Sequence, residues 1–237
     1  MKSKLEPRVV LITGTSRGIG RYLANHFLSK GDYVIGCSRT AGTISSERYK
    51  HYSLEITDDT SILLMFSDIR KEFKRLDILI NNAAINPDIA FSVLVCSDAI
   101  HRAFETNIIA VMKICKEAVK MMVRKKKGRI INISSMAAKL EVPGESVYTA
   151  TKVALNSYTK VLAKEVNAFG ITVNGVAPSA IKTDLSARID QDALMDVLAR
   201  NAIPDFGEME DVVNLIDFLV DDRSHAVTGQ TIYLGGV

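Results

Sequence analysis

The sequence predicts one α/β domain over residues 1–237, a doubly wound parallel sheet of about seven strands with helices on both faces. Three observations predict it. Short apolar runs alternate with longer helical stretches from end to end. Several of the runs are continuously apolar, as strands buried on both faces of a parallel sheet are. No repeat, low-complexity tract or linker divides the chain, and its 237 residues fit one large domain.

The expected strands are Arg8–Thr13, Tyr33–Cys37, His51–Leu54, Leu76–Ile80, Arg129–Ile133, Ile171–Val176 and Thr231–Leu234. The expected helices are Gly18–Lys30, Asp59–Phe73, Asp98–Arg124, Val147–Ala168 and Met209–Val220. Asp58-Asp59 and Ser97-Asp98 suit helix N-caps, and Gly31 and Gly170 suit helix ends. Repeated strand–helix–strand units imply right-handed crossovers. Thr183–Arg200 breaks this rhythm and is expected to form a mobile flap.

Apolar residues make up 47% of the chain, enough for a sizeable core, and the formal charge is only +3. With no basic stripe interleaved with aromatics, nucleic acid is not an expected partner. The apolar run Val9–Ile12 is four residues long. A signal peptide needs about 7–15 apolar residues and a spanning helix about 20, so no membrane association is expected. Cys37, Cys96 and Cys115 are few, odd in number and dispersed, which points to a reducing, cytoplasmic setting. His26, His51, His101 and His225 show no ligand spacing, so no metal site is expected.

After the first strand comes Thr13-Gly14-Thr15-Ser16-Arg17-Gly18-Ile19-Gly20, and then a helix. In a Rossmann-like unit, Gly14 permits a tight turn and Gly18 lets the backbone approach a pyrophosphate. Gly20 permits close packing, and the helix N-terminus offers N–H groups to the phosphates. The first two glycines are three residues apart rather than the usual one.

Tyr148 and Lys152 are four residues apart and share a helix face. An ammonium near a phenol favours the phenolate, which predicts a tyrosine pKa below the usual value of about 10. A surface Tyr/Lys pair has the same spacing, so the pair alone decides nothing. Ser134-Ser135 follows the strand Arg129–Ile133, and strand C-terminal ends carry the sites of such sheets. A hydroxyl there can bind a substrate carbonyl, or can simply begin a loop.

Together these residues resemble the short-chain dehydrogenase/reductase family. The match runs nearly end to end and includes Thr13–Gly20, Asn81-Asn82-Ala83-Ala84, Asn107, Ser135, Tyr148 with Lys152, Pro178 with Thr183, and Thr228-Gly229-Gln230. The resemblance implies that Tyr148 donates the proton in carbonyl reduction. Lys152 would lower its pKa and hold the nicotinamide ribose, Ser135 would hydrogen-bond the substrate oxygen, and Asn107 would position a water relaying protons to Lys152. For the cofactor, it implies that Glu55 and Ile56 lie beside the adenine and Asn82 near the ribose, with Ala83 next to it. Pro178, Ile181 and Thr183 would lie towards the carboxamide.

Within that resemblance, NAD-selective members carry an acid where this chain has Ser38. Arg39 beside it, and Arg17 in the glycine turn, offer charge to a 2′-phosphate. NADPH is therefore the expected cofactor. The pattern is most similar to 3-oxoacyl-[acyl-carrier-protein] reductases. The basic run Arg124-Lys125-Lys126-Lys127 could guide an acidic carrier protein or could be a solvated helix end. Alternative substrates are a small ketone, a sugar or a secondary metabolite. A different class, a non-catalytic NADP-sensing protein, need not keep Asn107, Ser135, Tyr148 and Lys152 together. A homodimer or homotetramer through the helices of Asn107 and Tyr148 is implied as well. Ala84, Ser179 and a shortened Ile203–Gly207 segment depart from the family pattern near the expected substrate region.

Overall fold

The computed structural model describes residues 6–181 and 191–236. Its seven strands are β1 (Val9–Thr13), β2 (Tyr33–Ser38), β3 (Tyr49–Ser53), β4 (Ile78–Asn81), β5 (Gly128–Ile133), β6 (Ile171–Ala177) and β7 (Thr231–Tyr233). They pair in the order β3-β2-β1-β4-β5-β6-β7, every pair parallel. The order reverses between β1 and β4, where the two loops leaving these strands diverge and a crevice opens.

The pleat divides the core in two. Val9 and Leu11 of β1 face one way with Ile35, Leu79, Ile130 and Val173. They are covered by α2 (Asp59–Glu72), α4 (Ala110–Lys125) and α6 (Ser146–Val166), the last preceded by the one-turn α5 (Ala137–Leu140), through Phe66, Ile114 and Leu155 among others. Val10 and Ile12 face the other way with Val34, Ile80, Ile131 and Val176. These are covered by α1 (Gly18–Ser29) and α8 (Met209–Val220), through Phe27 and Ile216. Burial on both faces is why these strands read as unbroken apolar runs.

Element ends differ from expectation in informative ways. The third strand begins two residues earlier, at Tyr49, and its residues are half-buried or exposed because it is a sheet edge. Asp58 caps α2, its carboxylate accepting from the N–H groups of Thr60 and Ser61 at 3.2 and 3.1 Å. Ser97 and Asp98 are not caps: α3 (Ser97–Phe104) already includes both, and Cys96 precedes it without a side-chain cap bond. Gly31 and Gly170 have φ of +86° and +69°, the left-handed geometry that ends helices. The single helix expected over Asp98–Arg124 is broken by a π-turn, Glu105–Ile109, between α3 and α4. Within the segment expected as a flap, Gln191–Leu198 forms a helix, α7, while residues 183–190 lie outside the described residues. No described helix is long and apolar enough to cross a membrane.

Candidate active site

At the carboxyl ends of the strands lies one cavity of about 1170 Å³. Its wall runs along the sheet edge from the β2 end, at Ser38 and Arg39, to the β6 end, at Pro178 and Ile181.

The glycine turn forms the floor at the β1 end. Gly14 and Gly18 have φ of +75° and +54°, which side-chain-bearing residues rarely adopt. A Cβ on Gly20 would overlap the Gly14 carbonyl oxygen and approach Asn82 Nδ2 to 2.5 Å. The N-cap of α1, Arg17, makes no side-chain cap bond, and no acid sits in the first turn. The helix therefore presents its N–H donors to the cavity, where Ser16, Arg17, Gly18 and Ile19 line the wall. This cradle fits a dinucleotide phosphate. Thr15 and Gly20 stand behind the wall rather than in it.

Asn82 joins the turn to β4. Its Nδ2 donates to the carbonyls of Thr13 and Gly14 at 2.9 and 3.2 Å, while the N–H groups of Asn82 and Ala83 donate to Thr13 Oγ1, both at 3.0 Å. Asn82, Ala83, Glu55 and Ile56 all line the cavity, with Glu55 exposed and Ile56 buried.

Ser135, Tyr148 and Lys152 meet in the wall beyond β5. Lys152 is buried, and its Nζ donates to the carbonyl of Ile133, the last residue of β5, at 2.8 Å. The same Nζ lies over the Tyr148 ring, 5.5 Å from its centre. Ser135 Oγ accepts from the Ala137 N–H at 3.2 Å.

Asn107 sits in the π-turn and does not line the cavity. Its Oδ1 accepts from the Ile85 N–H at 2.9 Å, and its Nδ2 donates to the Ile85 carbonyl at 2.8 Å and Thr151 Oγ1 at 3.1 Å. The side chain thus clamps the segment after β4 onto α6. Thr183 lies outside the described residues.

The short chain dehydrogenase family profile matches residues 8–194. The chain belongs to the short-chain dehydrogenase family. Among its relatives, 3-oxoacyl-[acyl-carrier-protein] reductase FabG of Escherichia coli K12 is 34% identical over 237 residues, covering 98% of this chain and 97% of the relative. The Salmonella typhimurium FabG matches to the same extent. Among solved structures, ElxO with NADP bound superposes with a TM-score of 0.88 at 30% identity, over 96% of this chain and 97% of that one. A Leptospira borgpetersenii short chain dehydrogenase with bound NAD+ gives 0.87 at 25% identity, over 98% and 92%.

In this short-chain dehydrogenase, burial sets the ionisation of the Tyr148–Lys152 pair. It pushes the Tyr148 phenol up to about 12, a hydrogen bond with Ser135 pulling the other way and the nearby Glu145 carboxylate adding to the rise. It also pulls the Lys152 ammonium down to about 8. The expectation of a depressed tyrosine pKa is corrected: taking both groups out of water penalises the charged form of each. The ammonium also addresses the ring face and a carbonyl.

Three particulars were not legible in the sequence. Glu145, one helical turn before Tyr148, accepts from Asn86 Nδ2 at 3.0 Å and lines the cavity, and burial raises its pKa. Its spacing from Tyr148 was the available signal. Ser38 lines the cavity, but its hydroxyl donates to the Thr40 carbonyl at 2.7 Å. The basic run is at the wrong end for the site: Lys127 precedes β5 and pairs with Asp222 at 2.7 Å. Six residues of strand, about 17 Å at roughly 3.3 Å per residue, separate it from the cavity side.

Proposed function

We propose that the protein is an NADPH-dependent carbonyl reductase in which Tyr148 donates the proton. The observation that carries this reading is a single cavity walled at one end by the glycine turn with Arg17 and Arg39, and at the other by Ser135, Tyr148 and Lys152. A dinucleotide phosphate and a carbonyl can therefore be held together. When bound, the cofactor supplies the hydride. Ser135 and Tyr148 hold the substrate oxygen by hydrogen bonds. Tyr148, kept protonated by burial, gives it a proton. Lys152 keeps a positive charge beside the phenol while it remains protonated, which stabilises the phenolate left behind. Asn107 fixes the cavity wall at Ile85.

NADPH is preferred over NADH in this reading because Arg39 and Arg17 line the adenosine end and no acid stands at position 38. ElxO, bound to NADP, supports the choice, whereas the Leptospira neighbour holds NAD+. A charge-assisted hydrogen bond contributes roughly 1.5–3 kcal/mol, hence a preference of about tenfold or more. The substrate read from the FabG relatives is a 3-oxoacyl thioester, on a carrier protein or free, and the assembly is a homodimer or homotetramer. The test is NADPH oxidation against a panel of ketones that includes an acetoacetyl thioester. It is paired with kcat/KM for both cofactors before and after the double change Ser38→Asp with Arg39→Ser. NADPH use falls and NADH use is spared or improved. A parent enzyme that prefers NADH overturns the cofactor assignment.

A further inference from the structure

Behind the Ser38–Arg39–Thr40 loop lies a hydrogen-bonded chain of four side chains that touches the cavity only at its Ser38 end. Thr15 Oγ1 and Tyr49 Oη are 2.9 Å apart, and Tyr49 Oη and His51 Nδ1 are 2.9 Å apart. His51 Nε2 lies 3.0 Å from the Thr40 carbonyl and 3.2 Å from Ser38 Oγ. A carbonyl only accepts, so Nε2 carries the proton. In the neutral ring Nδ1 then accepts from the Tyr49 hydroxyl, and Thr15 donates to Tyr49.

Space has been left for this chain. A Cβ on Gly36 would overlap both Tyr49 Oη and Thr15 Oγ1, and one on Gly42 would lie 2.7 Å from His51 Nδ1. Neither glycine has the left-handed φ that would otherwise explain it. Tyr49 and His51 project from β3, the sheet edge, and Tyr49 reaches across β2 to Thr15 of the glycine turn. Neither lines the cavity, but Ser38, Arg39 and Thr40 do.

We infer that His51, braced by Tyr49, is a positioning residue for cofactor selection: it holds the Ser38–Thr40 loop so that Arg39 meets a ribose 2′-phosphate. The inference rests on the NADPH reading above. The glycine turn has a separate anchor, Gly14 N–H donating to the Cys37 carbonyl at 2.7 Å. Loss of His51 therefore loosens the 2′-phosphate side while the pyrophosphate cradle keeps its backbone bonds.

The experiment uses the full chain and two adenosine probes, 2′,5′-ADP and 5′-AMP, with binding followed by calorimetry. NADPH and NADH kinetics are measured in parallel. His51→Ala weakens 2′,5′-ADP about tenfold, the loss of one or two hydrogen bonds, and changes 5′-AMP less than about twofold. In turnover the loss appears in KM for NADPH rather than in kcat. His51→Gln, whose amide offers an NH2 group to donate and an oxygen to accept, recovers most of the discrimination. Tyr49→Phe, which removes one oxygen, weakens 2′,5′-ADP in the same sense but less. The double variant loses less than the sum of the singles, because both break one chain. Equal weakening of both probes by His51→Ala, with no recovery in His51→Gln, marks a merely structural role and overturns the inference. A parent that discriminates between the probes, with variants that discriminate equally well, overturns it too while leaving the NADPH reading intact. A parent that does not distinguish the probes overturns both.

Discussion

At position 148 a phenol is held almost out of water, one helical turn before a buried ammonium. A general acid contributes about 10²–10⁴-fold to rate. Tyr148→Phe therefore lowers kcat by that factor while cofactor affinity, measured by fluorescence titration, stays within about twofold. Parent-like turnover would remove Tyr148 from its assigned role. The pH dependence has a definite sign. Tyr148, raised to about 12, stays protonated over the working range. Lys152, lowered to about 8, loses its charge as pH rises through that value. The kcat/KM for carbonyl reduction thus declines above about pH 8. A profile flat to pH 10 would exclude Lys152 from proton handling. That Tyr148 and Lys152 belong together was readable only once their spacing was taken with Ser135 and the family pattern. Which way burial moves them was not, because a sequence does not show how much water a helix face excludes.

The elements show why some boundaries were readable and others not. Strands buried on both faces, such as β5 and β6, announce themselves as Arg129–Ile133 and Ile171–Val176, and the structure moves their ends by at most one residue. Edge strand β3 carries Tyr49-Lys50-His51-Tyr52-Ser53, a mixed pattern whose start was misplaced by two residues. The π-turn was invisible because Glu105–Ile109 keeps the apolar spacing of the helices beside it, and only the backbone register changes. The Thr15–Tyr49 contact joins positions 34 residues apart, beyond what periodicity reports. The glycine turn, by contrast, was legible as a strand–turn–helix, and it predicts its own fragility. Gly20→Ala drives a methyl group into the Gly14 carbonyl. Overpacking of this kind costs about 1–3 kcal/mol, which at this chain length lowers Tm by about 3–10 °C. Differential scanning calorimetry checks this. Because the displaced carbonyl belongs to the phosphate cradle, NADPH affinity falls with it. An unchanged Tm with unchanged affinity would mean that the turn relaxes freely.

For the whole molecule, the sheet fixes distances that composition cannot. The run Arg124–Lys127 was a candidate guide for a carrier protein, yet it sits at the amino end of β5 and the cavity at the carboxyl end. Exposed charges are screened over about 10 Å at 0.1 M salt, so the run exerts little pull at the cavity mouth. Lys125→Gln with Lys126→Gln leaves kcat/KM for an acetoacetyl thioester, and its salt dependence, unchanged within about twofold. A tenfold loss confined to carrier-bound substrate would restore the docking role.

The clamp between Asn107 and Ile85 separates two kinds of wall. Groups assigned to phosphates and protons stand at strand ends or on α6: Gly14, Ser38, Ser135, Tyr148 and Lys152. Other lining comes from stretches that carry none of these, among them those around Asn86 and Ile89, Leu140 and Val142, and Leu194 and Val197. Grafting those three stretches from another sequence re-addresses the enzyme to a new molecule without rewriting its chemistry, provided Asn107 continues to hold the seam between them.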